Sequence, residues 1–341
     1  MYNFKNDYSE GAHPRILDKL IETNLVQQLG YGEDEYAQEA KAILRERLNN
    51  PAAAIHFVSG GTQTNLLVIS FLLRVHEAVI SAKTGHIAAN ETGAIEATGH
   101  KVITTETVDG KLRPEDIAEV LAAYALAPHV VKPRIVYISN STEIGTFYTN
   151  DEIKALYQFC QSHELLLYMD GARLGHALTA ENNDLTLTAI SQYTDVFYIG
   201  GTKNGALLGE AIIFNKPKLA TDFDYAIKQK GAMLAKGRIL SIQFLELFKD
   251  DLYFDLARKA NVIAMRIAAA VRGKGYTFLT ESTTNQLFPI LPKKVIERLS
   301  INYQFYIWKN IDADYAAIRL ITSWATDEEN VTAFIKDLQE A

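Results

Sequence analysis

From about Ala54 to Phe214 the chain alternates short apolar runs with helical patterns, and this alternation limits the possible folds more than any other feature. Ala54-Val58, His86-Ala89, Lys101-Thr105, Arg134-Ser139, Leu165-Asp170, Val196-Ile199 and Ala211-Phe214 read as strands. Helices fall between them. Thr149-Asn150-Asp151-Glu152 has the form of a capping box and opens a helix whose apolar face is Ile153, Leu156, Tyr157 and Cys160. Arg113-Pro114-Glu115-Asp116 opens another, running through Leu121. The pattern predicts an α/β domain, a sheet covered by helices on both faces. Ser241 to Arg272 is strongly helical and carries the chain out of that domain. Gly273-Lys274-Gly275 is a turn. The looser alternation beyond it (Thr277-Leu279, Leu287-Pro289, Ala317-Ile321, a last helix from Asp327) fits a small α/β domain. The expected division is an N-terminal arm and helix over 1–45, a large domain over 46–245 and a small one over 246–341, since 341 residues exceed one typical core.

Composition narrows the partners. A net charge of −7 without a Lys/Arg cluster argues against nucleic acid. The longest apolar runs, such as Leu66 to Leu73, fall far short of the roughly 20 residues of a membrane helix. Met1 to Asp7 holds no apolar signal core, and the single cysteine, Cys160, permits no internal disulfide. A reduced, cytoplasmic protein is expected, with no metal site.

Two strands end on charge. Leu165-Leu166-Leu167-Tyr168-Met169 runs into Asp170-Gly171-Ala172-Arg173, and Val196-Phe197-Tyr198-Ile199 into Gly200-Gly201-Thr202-Lys203. Ligands of open α/β sheets sit beyond the carboxyl ends of strands, so Asp170 and Lys203 can face one crevice. A carboxylate and an amine delivered this way suit pyridoxal phosphate, with lysine holding the aldehyde and aspartate pairing with the ring nitrogen. A structural ion pair at a sheet edge is the alternative. Ser59-Gly60-Gly61-Thr62-Gln63 follows a strand and opens a helix, an arrangement that favours a phosphate at the helix start. It is not a Walker loop, because no Gly-Lys-Ser/Thr follows.

Motifs in register along nearly the whole chain resemble the threonine aldolase and β-eliminating lyase family of pyridoxal phosphate enzymes. Asn6-Asp7 with His13-Pro14 is similar to that family's amino-terminal segment, Tyr31-Gly32-Glu33-Asp34 to its Tyr-Gly-Asp-Asp turn, and Gly61-Thr62-Gln63 to its phosphate loop. Asp170-Gly171-Ala172-Arg173 matches its Asp-Gly-Ala-Arg motif, Lys203 its cofactor lysine and Arg319 an arginine that binds the substrate carboxylate. The resemblance implies the aspartate aminotransferase-type fold, with a mostly parallel seven-stranded sheet and a small C-terminal domain. It implies pyridoxal 5'-phosphate bound by Gly61, Thr62, Gln63, His86, Asp170, Arg173, Lys203 and Lys228. It also implies an amino acid substrate met by Asn6, Tyr31, Arg173 and Arg319, in a homodimer or homotetramer with shared active sites. His86 falls where the family stacks an imidazole on the cofactor; a histidine bonded to backbone is the alternative.

Two departures bear on substrate. Asn140-Ser141-Thr142-Glu143-Ile144-Gly145 stands where threonine-cleaving members commonly have Asn-Thr-His-Asn-Gly, so Glu143 replaces a histidine. Ala235 stands where a phosphate-contacting arginine is expected, with Lys236 and Arg238 nearby. The expected reaction is cleavage of L-threonine, L-allo-threonine or a related β-hydroxy-α-amino acid to glycine and an aldehyde. Glu143, His86 or a water serves as base. β-Elimination or transamination with the same cofactor are the alternatives, and a non-catalytic or dinucleotide-binding protein is the alternative of another class. That last lacks a Gly-x-Gly-x-x-Gly motif and leaves Lys203 unexplained.

Overall fold

The computed structural model describes all 341 residues. Strands β1 (Ala54–Val58), β2 (Glu77–Ala82), β3 (Lys101–Thr105), β4 (Lys132–Ser139), β5 (Leu166–Asp170), β6 (Val196–Gly200) and β7 (Glu210–Phe214) form one sheet in the order β1-β7-β6-β5-β4-β2-β3. All run the same way except β7, which is antiparallel to both β1 and β6. The mostly parallel seven-stranded sheet is therefore as expected, with one strand misread. His86–Ala89 is a single helical turn, and the strand lies ahead of it at Glu77–Ala82. Every residue of β2 is buried, so no polar–apolar alternation marks it.

Side chains alternate across the sheet with the two-residue period of a strand. Leu167 and Met169 of β5 enter one core with Phe197 and Ile199 of β6. Leu166, Tyr168, Val196 and Tyr198 enter the core on the other face. Each such side chain removed from water contributes about 1.5–3 kcal/mol. The Asn150–Ser162 helix covers one face, and its capping box is formed. The Thr149 N–H donates to Glu152 Oε2 at 2.8 Å and the Glu152 N–H to Thr149 Oγ1 at 3.3 Å. Cys160 on this helix is fully buried, filling the core as its helix-face position suggests. The Ser241–Arg272 stretch is two helices, Arg238–Lys249 and Leu252–Gly273, interrupted where Asp251 turns left-handed at φ 61°.

Beyond the long helix, Tyr315–Ile321 collects Gln286–Leu287, Pro289–Pro292 and Tyr306–Asn310 into a second, antiparallel sheet. The chain's first residues join this part. Tyr2–Asn3 pairs with Tyr303–Gln304, and Phe4 is buried among Leu320, Val331 and Phe334. That docking brings Asp7 over the carboxyl ends of the large sheet. No helix is long and apolar enough to cross a membrane.

Candidate active site

Glycines bring the ends of β5 and β6 together. The Gly200 N–H donates to the Gly171 carbonyl at 2.9 Å. A Cβ on Gly171 would lie 1.8 Å from the Tyr198 carbonyl oxygen, and one on Gly200 2.6 Å from that of Ala172. Only a residue without a side chain permits this approach. It sets Asp170 and Lys203 on the walls of one cavity of about 310 Å³, together with Ser59 to Thr62, His86, Glu143, Arg173 and Glu210. A larger, more open depression of about 570 Å³ lies at the opposite, amino-terminal end of the parallel strands. Its acidic side chains are largely spent on the Arg74–Glu77 and Lys216–Asp195 pairs, and it holds none of the residues above.

Asp170 is the floor. Tyr198 and Tyr137 donate their hydroxyls to Oδ1 and Oδ2 at 2.5 and 2.6 Å, the Ala172 N–H reaches Oδ1 at 3.0 Å, and Asn65 Nδ2 reaches Oδ2 at 3.2 Å. Burial alone would raise this carboxyl, but the His86 ring and these hydroxyls outweigh it and hold it below the usual range. Asp170 is thus a buried, fixed negative charge.

His86 begins the short helix after β2, and its Nδ1 lies 2.8 Å from Oε1 of Glu91. Asn65 Nδ2 donates to the same oxygen at 2.7 Å, and Tyr168 orients that amide with a 2.7 Å bond to Asn65 Oδ1. A carboxylate only accepts, so His86 carries a proton on Nδ1, and Nε2 is the ring nitrogen that Glu91 does not engage. Glu143 sits beside it: its Oε1 accepts from the His86 backbone N–H at 2.9 Å and from Ser139 Oγ at 2.7 Å. Burial, with the Asp170 charge behind it, pushes the Glu143 carboxyl up.

Lys203 and Arg173 share the far wall. Burial pushes the Lys203 amine down, and the neighbouring Arg173 charge adds to the shift. Arg173 is bound bidentately by Asp7, Nε donating to Oδ2 at 2.7 Å and Nη2 to Oδ1 at 3.0 Å. Burial opposes ionisation of Asp7, but Arg173 and Lys203 outweigh it and hold the carboxyl well below its ordinary value. Arg319 lies behind, near Arg173, its guanidinium 4.9 Å from the Trp308 ring centre. It donates to the Lys5 carbonyl at 3.3 Å, and its Nε is buried without a partner.

The helix Gly61–Leu72 starts at the cavity wall with no side chain capping it. Its first N–H groups have no intrahelical partner, which leaves them free for an anion. Gln63 does not line the cavity. Its Oε1 accepts from the Ser59 N–H and hydroxyl at 3.1 and 2.9 Å and ties the loop. Asn6 likewise braces its own turn, accepting from Tyr8 and Ser9, while Tyr8 reaches the cavity. Tyr31 and Lys228 are absent from the cavity and meet elsewhere, with the Lys228 ammonium 4.5 Å from the centre of the exposed Tyr31 ring.

Among the residues of the site that the sequence does not single out are Glu91, Tyr137, Tyr198, Glu210, and Asp7 in its role as partner of Arg173. A lone tyrosine inside each buried apolar run was the available signal, because a buried hydroxyl needs a partner. Glu91 and Glu210 carry no such mark. Their place in the site depends on strand crossovers.

Comparison with known proteins identifies the family and the fold. The family described as beta-eliminating lyase matches residues 11–293. The chain is 32% identical over 340 residues to the low specificity L-threonine aldolase of Pseudomonas aeruginosa, covering 98% of this chain and 96% of that one. It is 33% identical over 343 residues to the enzyme of that name from a Pseudomonas species, with the same coverage. A solved structure of a threonine aldolase from Leishmania major superposes with a TM-score of 0.98 at 45% identity, covering 100% of this chain and 99% of that one. Aspartate aminotransferase from Thermus thermophilus, at 13% identity, shares the fold with a TM-score of 0.71, covering 100% of this chain and 91% of that one. The chain belongs to the beta-eliminating lyase family and has the aspartate aminotransferase-type fold.

Proposed function

We propose that this member of the beta-eliminating lyase family is a pyridoxal 5'-phosphate-dependent aldolase that cleaves L-threonine, L-allo-threonine or a related β-hydroxy-α-amino acid to glycine and an aldehyde. The observation that carries the reading is the meeting of Lys203, Asp170 and an uncapped, glycine-opened helix start around one cavity. Whole-length likeness to threonine aldolases supports it. When bound, the cofactor supplies an electron-withdrawing pyridinium that stabilises negative charge on the substrate α-carbon.

The residues present fit that group. The N–H groups opening the helix at Gly61 and Thr62 suit its phosphate. The fixed negative charge of Asp170 suits a protonated ring nitrogen, and Lys203, pushed toward its neutral form, suits attachment to an aldehyde. Arg319 offers its unpartnered Nε, and Arg173 the donors that Asp7 leaves free, to the substrate carboxylate. Holding that carboxylate fixes which bond to the α-carbon breaks. His86 presents Nε2, and Glu143 a carboxyl held by Ser139, to the β-hydroxyl, where one of them takes up its proton.

Tyr31 and Lys228 serve a cavity only if they reach one in a second copy of the chain. An exposed Tyr31 at φ 61°, held by a cation–π contact, supports a homodimer or homotetramer with shared sites. A single species of monomer mass, fully active at assay concentration in sedimentation, would refute sharing. The reaction is tested by incubating the purified protein with threonine, allo-threonine and serine. Acetaldehyde with stoichiometric glycine is expected from the first two. Ammonia with a keto acid and no aldehyde would overturn the aldolase reading in favour of elimination.

A further inference from the structure

Glu210 is a buried carboxyl in the cavity to which the reaction above gives no work. It opens β7, and the sheet register fixes its place on both sides, pairing it with Val58 at the end of β1 and Gly200 at the end of β6. Ser59 to Thr62, the start of the Gly61–Leu72 helix, follows Val58 directly, and Thr202 and Lys203 follow Gly200. Glu210 therefore stands between the anion-binding helix start and the lysine loop, and its side chain lines the cavity with both. Oε1 accepts from Thr202 Oγ1 at 2.9 Å, and Oε2 is buried with no partner.

An unpartnered buried carboxylate oxygen beside a site built for an anion is a contradiction in charge. As an acceptor it has nothing to accept from there, and as a charge it repels what the helix attracts. Protonation removes both difficulties, because a carboxylic acid donates through O–H. We propose that Glu210 keeps its proton in the working enzyme and donates it in a hydrogen bond to the anionic group held at the start of the Gly61–Leu72 helix. The proposal rests on the reading above that this group is the cofactor's phosphate.

The surroundings agree. Burial raises the Glu210 carboxyl to about 8, against the Thr202 hydroxyl and the Lys203 charge, while Asp170 adds to the rise. Lys203, after β6, is itself pushed down by burial, so both shifts favour the uncharged pair. The Gly201 backbone N–H also opposes the rise, and the other titratable groups acting on Glu210 are Tyr198 on β6, Tyr168 and Asp170 on β5 and Tyr253 on the long helix. Burial raises all three tyrosines, which leaves them neutral. His86, Glu143 and Arg173 line the remaining walls.

The consequence is a cofactor grip that loosens as Glu210 ionises. The test uses full-length protein stripped of cofactor and pyridoxamine 5'-phosphate, which carries the phosphate but has no aldehyde to react with Lys203. Affinity is measured calorimetrically at pH 7, 8 and 9 for wild type, Glu210→Gln and Gly61→Val, with circular dichroism as the check on folding. The amide of Glu210→Gln is a permanent donor. Wild-type affinity should therefore fall relative to that variant by about tenfold between pH 7 and 9, about fivefold of it between pH 8 and 9, the response of one group titrating near 8. The infrared band of a protonated carboxyl at pH 7 should weaken in Glu210→Gln. Parallel pH curves for the two proteins, or an unchanged infrared band, overturn the role of Glu210. Gly61→Val places its Cβ 3.0 Å from the Tyr198 hydroxyl at the helix start and should abolish binding at every pH. Normal binding by a folded Gly61→Val protein overturns instead the placement of the phosphate.

Discussion

Asp7 and Arg173, 166 positions apart, meet in a two-point ion pair in which the carboxylate side chain is fully buried and the guanidinium nearly so. Asn285 donates to the same carboxylate at 2.9 Å, so Asp7 is fixed from the C-terminal part of the chain as well. The pair assigns Asp7 the task of aiming Arg173. Asp7→Ala strands a buried guanidinium, and loss of one partner of such a pair costs about 3–5 kcal/mol. Urea unfolding should show that loss, and KM for threonine should rise more than kcat falls. Stability and KM both within error of wild type would remove Asp7 from the site. The carboxyl is held below its ordinary range, so its contribution is complete above the unfolded value near 3.8 and lost only as pH falls further.

Lys203→Ala should purify folded but without the visible absorbance of a bound aldehyde, because the change is confined to the cavity wall. The same spectrum and full turnover in this variant would show that another residue attaches the cofactor. Asp170→Asn keeps the shape but loses the negative charge toward which Tyr137 and Tyr198 point. It should retain part of the cofactor and lose most turnover, and wild-type rates would exclude Asp170 from the chemistry.

Asp170 and Lys203 were legible in the sequence because each closes an apolar run at a glycine, and the glycines themselves record the contact between β5 and β6. Residues that meet through topology were not. Glu91 reaches Asp170 only through Asn65, which lies 105 positions before it in the chain. Glu210 enters by the antiparallel reversal of β7, which no local pattern announces. The strand Glu77–Ala82 was missed because both its faces are buried. The apolar Ile87-Ala88-Ala89 drew the assignment instead, although Gly85, whose N–H donates to the Ala82 carbonyl, already ends the strand. The break at Asp250-Asp251 was hidden by helical periodicity on either side, and it shows only in the positive φ of Asp251.

Glu143 and His86 are the two candidates for the proton on the β-hydroxyl, and substitution separates them. Glu143→Gln keeps an acceptor for Ser139 and the His86 N–H but cannot exchange a proton. Loss of about 10² or more in kcat/KM for threonine is expected if the carboxyl acts, the usual scale for general acid–base catalysis. Unchanged rates in Glu143→Gln would leave Nε2 of His86. In that case Glu91→Ala should lower kcat, since it frees Nδ1 and with it the tautomer.

His176 gives the structure a pH dependence of its own. The side chain is fully buried beneath the site, and neither ring nitrogen has a hydrogen-bond partner. Burial lowers its pKa from 6.5 to about 4, with the Asp7 charge opposing the shift and Arg173 and Lys203 assisting it. Between these values the unfolded chain binds a proton that the folded protein refuses, so stability rises with pH across the window. Read downward, the loss begins near pH 6.5 and is complete near pH 4, where the folded ring also protonates. A shift of that size corresponds to about 3 kcal/mol. His176→Met, of similar size and uncharged, should flatten the stability profile between pH 6.5 and 4 while leaving stability near pH 8 comparatively little changed. Chemical denaturation at fixed pH steps measures this. An equal slope in both proteins would mean that His176 is protonated in the folded state or reached by water, and that another group sets the acid limit.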